Sequence, residues 1–195
     1  GGAGVVLLVA AAVIGGMLYS SAKYSEMMKW VEMDVSDIDE ENAAEGIEAC
    51  SYVADKAEKD SEEYRQAVFK LGVYYYKKGD LDEALDQFQY QCMNNDIQPY
   101  MSAVFSAEIL LKKGDKEKAN GLITKVVEKM DSAPLSGTMK KRAAAIFSKL
   151  AVENDSVSLK ERVGKVRLFK ERSPMSLEIE EAYNKLKERL DKESE

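Results

Sequence analysis

The side chains equipped for chemistry are few, and no spacing gathers them. Not one histidine occurs among 195 residues, so imidazole drops out as base, as partner to a nucleophile and as metal ligand. That excludes a Ser-His-Asp triad, a Cys-His pair and histidine-bound zinc. The two cysteines, Cys50 and Cys92, cannot make a four-cysteine metal site or a disulfide framework. Both fall on the apolar sides of predicted helices, where a thiol is ordinarily inert. The run from Asp37 to Glu48 puts acids at positions 1, 3, 5, 9 and 12 of a calcium-loop template, but Asn42 stands where the sharp-turn glycine belongs. It reads better as a helix start capped by Ser36 or Asp37. The leading Gly1-Gly2-Ala3-Gly4 lacks the lysine and the preceding strand of a phosphate-binding loop. No metal and no cofactor is expected, and an enzyme resting on isolated carboxylates such as Glu108 is the weakest reading.

What the chain does contain is a repeat. Lys77-Lys78-Gly79-Asp80 returns as Lys112-Lys113-Gly114-Asp115 after 35 residues. Five positions past each glycine stands an alanine (Ala84, Ala119), and four further a large apolar residue (Phe88, Ile123). Apolar residues three and four apart run on both sides of each glycine, which predicts two helices per copy. The glycine supplies the positive φ that ends the first helix, and the aspartate helps cap the second. Less regular helices flank the repeats, at about 39–59, 136–152 and 157–171. A last one starts at Ser173-Pro174, a cap residue followed by a proline at the first helical position, with a stripe of Ile179, Tyr183, Leu186 and Leu190.

These residues resemble the tetratricopeptide repeat. The copy at about 65–98 carries Leu71-Gly72, Tyr75, Gly79-Asp80, Ala84 and Phe88 at that family's positions, and departs from it at Gln91. The copy at about 100–133 keeps Gly114-Asp115 and Ala119 but has Ser106-Ala107 and Leu110 where the pattern has Leu-Gly and Tyr. The resemblance implies a short α-solenoid whose first helices line a groove for other proteins. By that resemblance the groove residues are Gln66, Phe69, Val73, Tyr76 and Lys77, then Met101, Val104, Glu108, Leu111 and Lys112. Phe69 and Val73 replace the polar residues of a carboxylate clamp, so the groove would suit a helix or an extended apolar segment. A neighbouring helix of the same chain is the equal alternative. Of Tyr74-Tyr75-Tyr76, only Tyr76 is expected to face it, because successive helical residues point about 100° apart.

Charge is sorted along the chain. Residues 23–97 hold 8 basic and 19 acidic side chains, whereas residues 138–172 hold 10 basic and 4 acidic. The overall −7 argues against a whole-protein role in binding nucleic acid. The later segment suggests a basic patch of Lys140, Lys141, Arg142, Lys160, Arg162, Lys165, Arg167 and Lys170 for an acidic partner or anionic lipid, against the plainer reading of solvated helix faces.

Residues 1–22 carry no charge at all. As a helix they would reach about 33 Å, enough for a hydrocarbon core of about 30 Å. Tyr19, Tyr24 and Trp30 suit a headgroup anchor, and Ala11, Ala12, Gly15 and Gly16 form small-residue pairs open to another membrane helix. Ser20-Ser21-Ala22 also resembles a signal-peptide cleavage site, but the apolar run exceeds the usual length of such a signal. The expectation is therefore an all-α chain: a single transmembrane helix at 1–22, a juxtamembrane helical segment at 23–35, and at 36–195 a tetratricopeptide-like α-solenoid closed by a C-terminal capping helix. Such an architecture resembles ancillary subunits of the bacterial Sec translocon, which hold a domain of this kind outside the inner membrane. Mitochondrial import receptors with an N-terminal anchor are the organellar parallel. The function implied is a non-catalytic, membrane-tethered scaffold for other proteins. A structural accessory subunit of a respiratory, photosynthetic or secretion complex is the alternative. Replacing Gly15 and Gly16 by leucine separates them, since only the embedded subunit should lose its co-purifying partners.

Overall fold

The computed structural model describes residues 20–93, 99–129, 132, 134–153, 157–172 and 177–193. Among these the protein is all helical, without a strand. Helix α1 occupies residues 20–32 and a 3-10 turn spans Val35–Asp37. There follow α2 (Ala43–Lys56), α3 (Glu62–Lys78), α4 (Leu81–Met93), α5 (Pro99–Lys112), α6 (Lys116–Glu128), α7 (Gly137–Glu153), α8 (Leu159–Arg172) and α9 (Leu177–Glu193). No described helix is long and apolar enough to cross a membrane. Nearly all of the uncharged run, with Ala11, Ala12, Gly15, Gly16 and Tyr19, lies outside the described residues, as does the Ser173-Pro174 start expected for α9. Where the sequence suggests one solenoid over 36–195, the chain divides into two compact units, Gly1–Gln91 and Cys92–Glu195.

In the first unit α3 is the central element. Every residue from Ala67 to Tyr74 is buried, so two turns of this helix have no solvent face. A helix buried all round needs neighbours on all sides. On one side Phe88 of α4 meets Phe69 with ring centroids 5.9 Å apart. Gln91, fully buried, donates its Nε2 to the Arg65 carbonyl at 2.8 Å. That bond accounts for a glutamine where the repeat pattern prefers a small residue. On the other side α2 lies along α3. Ala43, Gly46, Ala49, Cys50 and Val53 are its buried face. Ile47 and Ala54, also at helical spacing from Ala43 and Cys50, are only half-buried.

Gly46 of α2 lies against the Tyr74 ring of α3. A Cβ there would stand 2.2 Å from Cε1 of Tyr74. Gly46→Ala is thus expected to destabilise by about 1–3 kcal/mol through overpacking, despite alanine's helical preference of about 1 kcal/mol over glycine. A lower midpoint in urea at unchanged slope would show it; an equal or higher midpoint would refute the contact.

The acidic run does not begin α2 where the sequence suggests. Asp34 caps the 3-10 turn, its carboxylate accepting from the Ser36 N–H at 2.8 Å and the Ser36 hydroxyl at 2.6 Å. Asn42 and Asp39 then exchange side-chain to backbone bonds of 3.1 and 3.0 Å, and Asn42 also donates to the Asp37 carbonyl. These short polar side chains offer the backbone local partners that compete with a helix. So α2 starts at Ala43 rather than near residue 39.

The repeated glycines do what their spacing predicts. Gly79 (φ 92°) and Gly114 (φ 85°) are left-handed. Past them the Asp80 N–H donates to the Tyr75 carbonyl at 3.0 Å and the Asp115 N–H to the Leu110 carbonyl at 2.9 Å, the same helix-ending turn twice. Asp115 caps α6 by accepting from the Lys118 N–H at 3.2 Å, whereas the Asp80 carboxylate pairs with Lys78 at 2.7 Å.

In the second unit α5 packs on α6, α6 on α7 and α8 on α9. Contacts also join α5 to α7 and α7 to α9, so these three helices lie side by side as a row. Ala119, Ile123, Ala143, Phe147, Leu150, Ile179 and Leu186 form its core.

Candidate functional site

The buried polar groups of the first unit are structural. Lys70 is 8% exposed and donates its ammonium to the Met33 carbonyl, while the Tyr74 hydroxyl donates to the Trp30 carbonyl at 3.0 Å. Both carbonyls lie at or just past the end of α1, where helix oxygens lack partners within the helix and a cation meets the negative pole of the dipole. Burial pushes the Lys70 ammonium below its ordinary range, partly offset by nearby Asp34. Trp30, expected as a headgroup anchor, lies edge-on to Tyr74 at 6.3 Å between centroids. At the other end of α1, Lys23 sits over the Tyr52 ring at 4.8 Å.

Cys50 lies beside this cluster, fully buried, and burial pushes its thiol up to about 12. With so little thiolate at pH 8, alkylation of Cys50 in the folded protein is expected to be about a thousandfold slower than in denaturant. Peptide mapping after timed iodoacetamide treatment checks this, and comparable rates in both states would contradict it. No group of three or more ligating side chains assembles among the described residues, the Asp37–Glu48 run included.

The groove expected from the first repeat copy is not an open surface. Phe69 is 2% exposed and Val73 is 0% exposed. Phe69 is spent on Phe88, inside the helix pair rather than beside it. Of that copy, Gln66, Tyr76 and Lys77 keep partial exposure, with Gln66 bonded to Glu62 at 3.0 Å. In the second copy Val104 is likewise buried, and Met101 is half-buried. Glu108, Leu111 and Lys112 do meet at a cleft.

That cleft, about 350 Å³, lies between α5 and α7. Leu111 faces Ala145 and Ile146, and Lys112, Arg142 and Lys149 surround them. Glu108 is held by two of these bases: the Arg142 guanidinium bonds its Oε2, and the Lys112 ammonium stands 3.4 Å from its Oε1. Arg142 also lies over the Phe105 ring at 4.5 Å. The carboxylate on which an enzymatic reading leaned is therefore engaged in ion pairs. A second cleft, of about 320 Å³, runs between α7 and α9, where Ser148 and Val152 face Glu178, Glu181 and Lys185. Ala145 and Lys149 line both, so α7 is the ridge of one continuous surface.

The expected basic patch comes apart. Arg162 is 6% exposed and donates to the Ala151 and Val152 carbonyls at 3.4 and 3.2 Å, capping the end of α7. Lys165 pairs with Glu161, Arg167 with Glu171 and Lys170 with Glu180, at 2.9, 3.7 and 2.7 Å. Arg142 belongs to the cleft. Lys140, Lys141 and Lys160 remain at the surface without joining the others. Most of the patch is thus the solvated or capped helix charge of the plainer reading.

The sequence points to the α5 side of this surface and, on α7, to Arg142 alone. Lys149, Ala145 and Ser148 were absent from every expected site because residues 136–152 match the repeat pattern poorly. A signal was nonetheless there. Carrying the 35-residue spacing onward from Tyr76 reaches Leu111, Ile146 and Glu181. The last three line the clefts on α5, α7 and α9. Comparison with protein-family models, with characterised proteins and with solved structures finds no match to this chain.

Proposed function

We propose that this protein is a membrane-tethered scaffold of the tetratricopeptide type that docks other proteins along the row of α5, α7 and α9, without catalysis. The observation that carries the reading is the pair of adjoining clefts that share Ala145 and Lys149. An apolar floor rimmed by charge suits recognition of a polypeptide better than turnover of a small molecule. The repeated helix-ending turn supports the family resemblance, as does Gly72, where a Cβ would come within 2.8 Å of Phe88. The uncharged residues 1–22 support the tether.

Ala145 is half-buried on α7 and borders both clefts, so Ala145→Arg fills them with a good helix former. A photo-crosslinker placed at Lys149 in native membranes is expected to capture a protein partner, and one placed at exposed Lys125 of α6 is not. Ala145→Arg should abolish the Lys149 adduct while the melting curve stays within about 0.5 kcal/mol of wild type, as for other surface substitutions. Equal capture from both positions, or capture indifferent to Ala145→Arg, would defeat the docking assignment. The tether is checked separately: the chain should resist carbonate extraction from membranes, and deletion of residues 1–22 should release it.

A further inference from the structure

We infer that the α5–α7–α9 row selects an extended segment of another protein carrying both signs of charge, its acidic residue over the α5–α7 cleft and its basic residue over the α7–α9 cleft. The inference rests on the docking role proposed above and specifies the partner's chemistry.

The two clefts differ in charge. Around the first stand Lys112, Arg142 and Lys149 against the single carboxylate of Glu108, which two of those bases already hold. Lys149 is exposed, and no ion pair engages it among the described residues. Around the second stand Glu153, Glu178 and Glu181 against Lys185 and the shared Lys149, and Lys116 holds Glu153 at 3.1 Å. Glu181 is likewise exposed and outside any described ion pair. Complementary charge across an interface selects partners and excludes those of the wrong sign.

A second observation bears on the conformation of the occupant. Ser148 borders the α7–α9 cleft, is 3% exposed, and its hydroxyl has no hydrogen-bond partner among the described residues. A buried hydroxyl left unpaired is costly, so a ligand that supplies a partner is favoured there. A helical ligand has spent its own backbone groups internally; an extended one brings free N–H and C=O groups to the cleft. Neighbouring helices pack about 8–10 Å apart, and an extended chain of the polyproline II kind advances about 3.1 Å per residue with every third side chain on one face. The acid and the base of the ligand therefore fall about three residues apart. Between them an apolar side chain rests against Ala145, small enough to leave it room.

The test is selection of displayed random dodecapeptides on the full chain in detergent. Wild type is expected to enrich, by about tenfold over composition, peptides with one acid and one base three residues apart flanking an apolar residue, the scale of a modest charge preference. Either sequence order serves, since an extended segment can lie in both directions. Glu181→Lys should shift the selection to acidic peptides, and Lys149→Glu should shift it to basic ones. Both substitutions sit at exposed helical positions and leave the core intact. Enrichment of one sign only by wild type, an acid–base spacing near seven as a helical ligand would need, or selections unmoved by either substitution would overturn the inference while leaving the docking role standing. Selections identical on wild type and Ala145→Arg would remove both.

Discussion

Phe69→Ala is expected to cost about 3–5 kcal/mol and to unfold much of the first unit near physiological temperature. The ring is 2% exposed, packs on Phe88, and belongs to the stretch of α3 buried on every side. Truncation leaves a cavity that two flanking helices cannot close without abandoning their other contacts. The sequence alone suggests a different result for Phe69→Ala combined with Tyr76→Ala, weaker partner capture at unchanged helicity, because the family resemblance counts Phe69 among the groove residues. Thermal melting followed by circular dichroism separates the two. A transition matching wild type, combined with lost capture, would show that Phe69 is a docking residue after all.

Tyr74→Ala is expected to be as damaging, by about 3–5 kcal/mol, and to release α1 as well. Tyr74 is fully buried where three helices meet: its ring occupies the space that a Cβ on Gly46 of α2 would need, and its hydroxyl reaches the Trp30 carbonyl of α1. Tyr74→Phe keeps the ring and removes only the hydroxyl bond, so it should cost about 1 kcal/mol. Hydrogen exchange reads the difference. Amides of residues 20–32 should lose protection strongly in the alanine variant and slightly in the phenylalanine variant. Equal protection in both would mean that α1 is held by something other than Tyr74.

The legible features were the local ones. A glycine followed by an aspartate, with apolar residues three and four apart on either side, ends one helix and begins the next within a few bonds, so Gly79 and Gly114 could be read without any neighbour in view. The start of α2 was misread by the same local physics. Asp39 and Asn42 can cap a helix or bond to nearby backbone, and here they do the latter, while Asp34 caps the 3-10 turn instead of α2. Phe69 and Val73 were misplaced because amphipathic spacing tells which side of a helix is apolar, not how many neighbours cover it.

The absence of histidine, the helical class, the 35-residue spacing and the uncharged first 22 residues follow from the amino-acid sequence itself. They depend on residue identity and on contacts within a few turns of chain. Packing alone decided which apolar face stayed open and which charges stayed unpaired. Arg142 and Arg162 lie 20 positions apart in one basic segment, yet the first enters a cleft and the second caps α7. Charge along a sequence is a sum, whereas charge at a surface depends on which carboxylates and carbonyl oxygens the fold brings within reach. For that reason the clefts on either side of α7, and the different charges that surround them, belong to the tertiary structure.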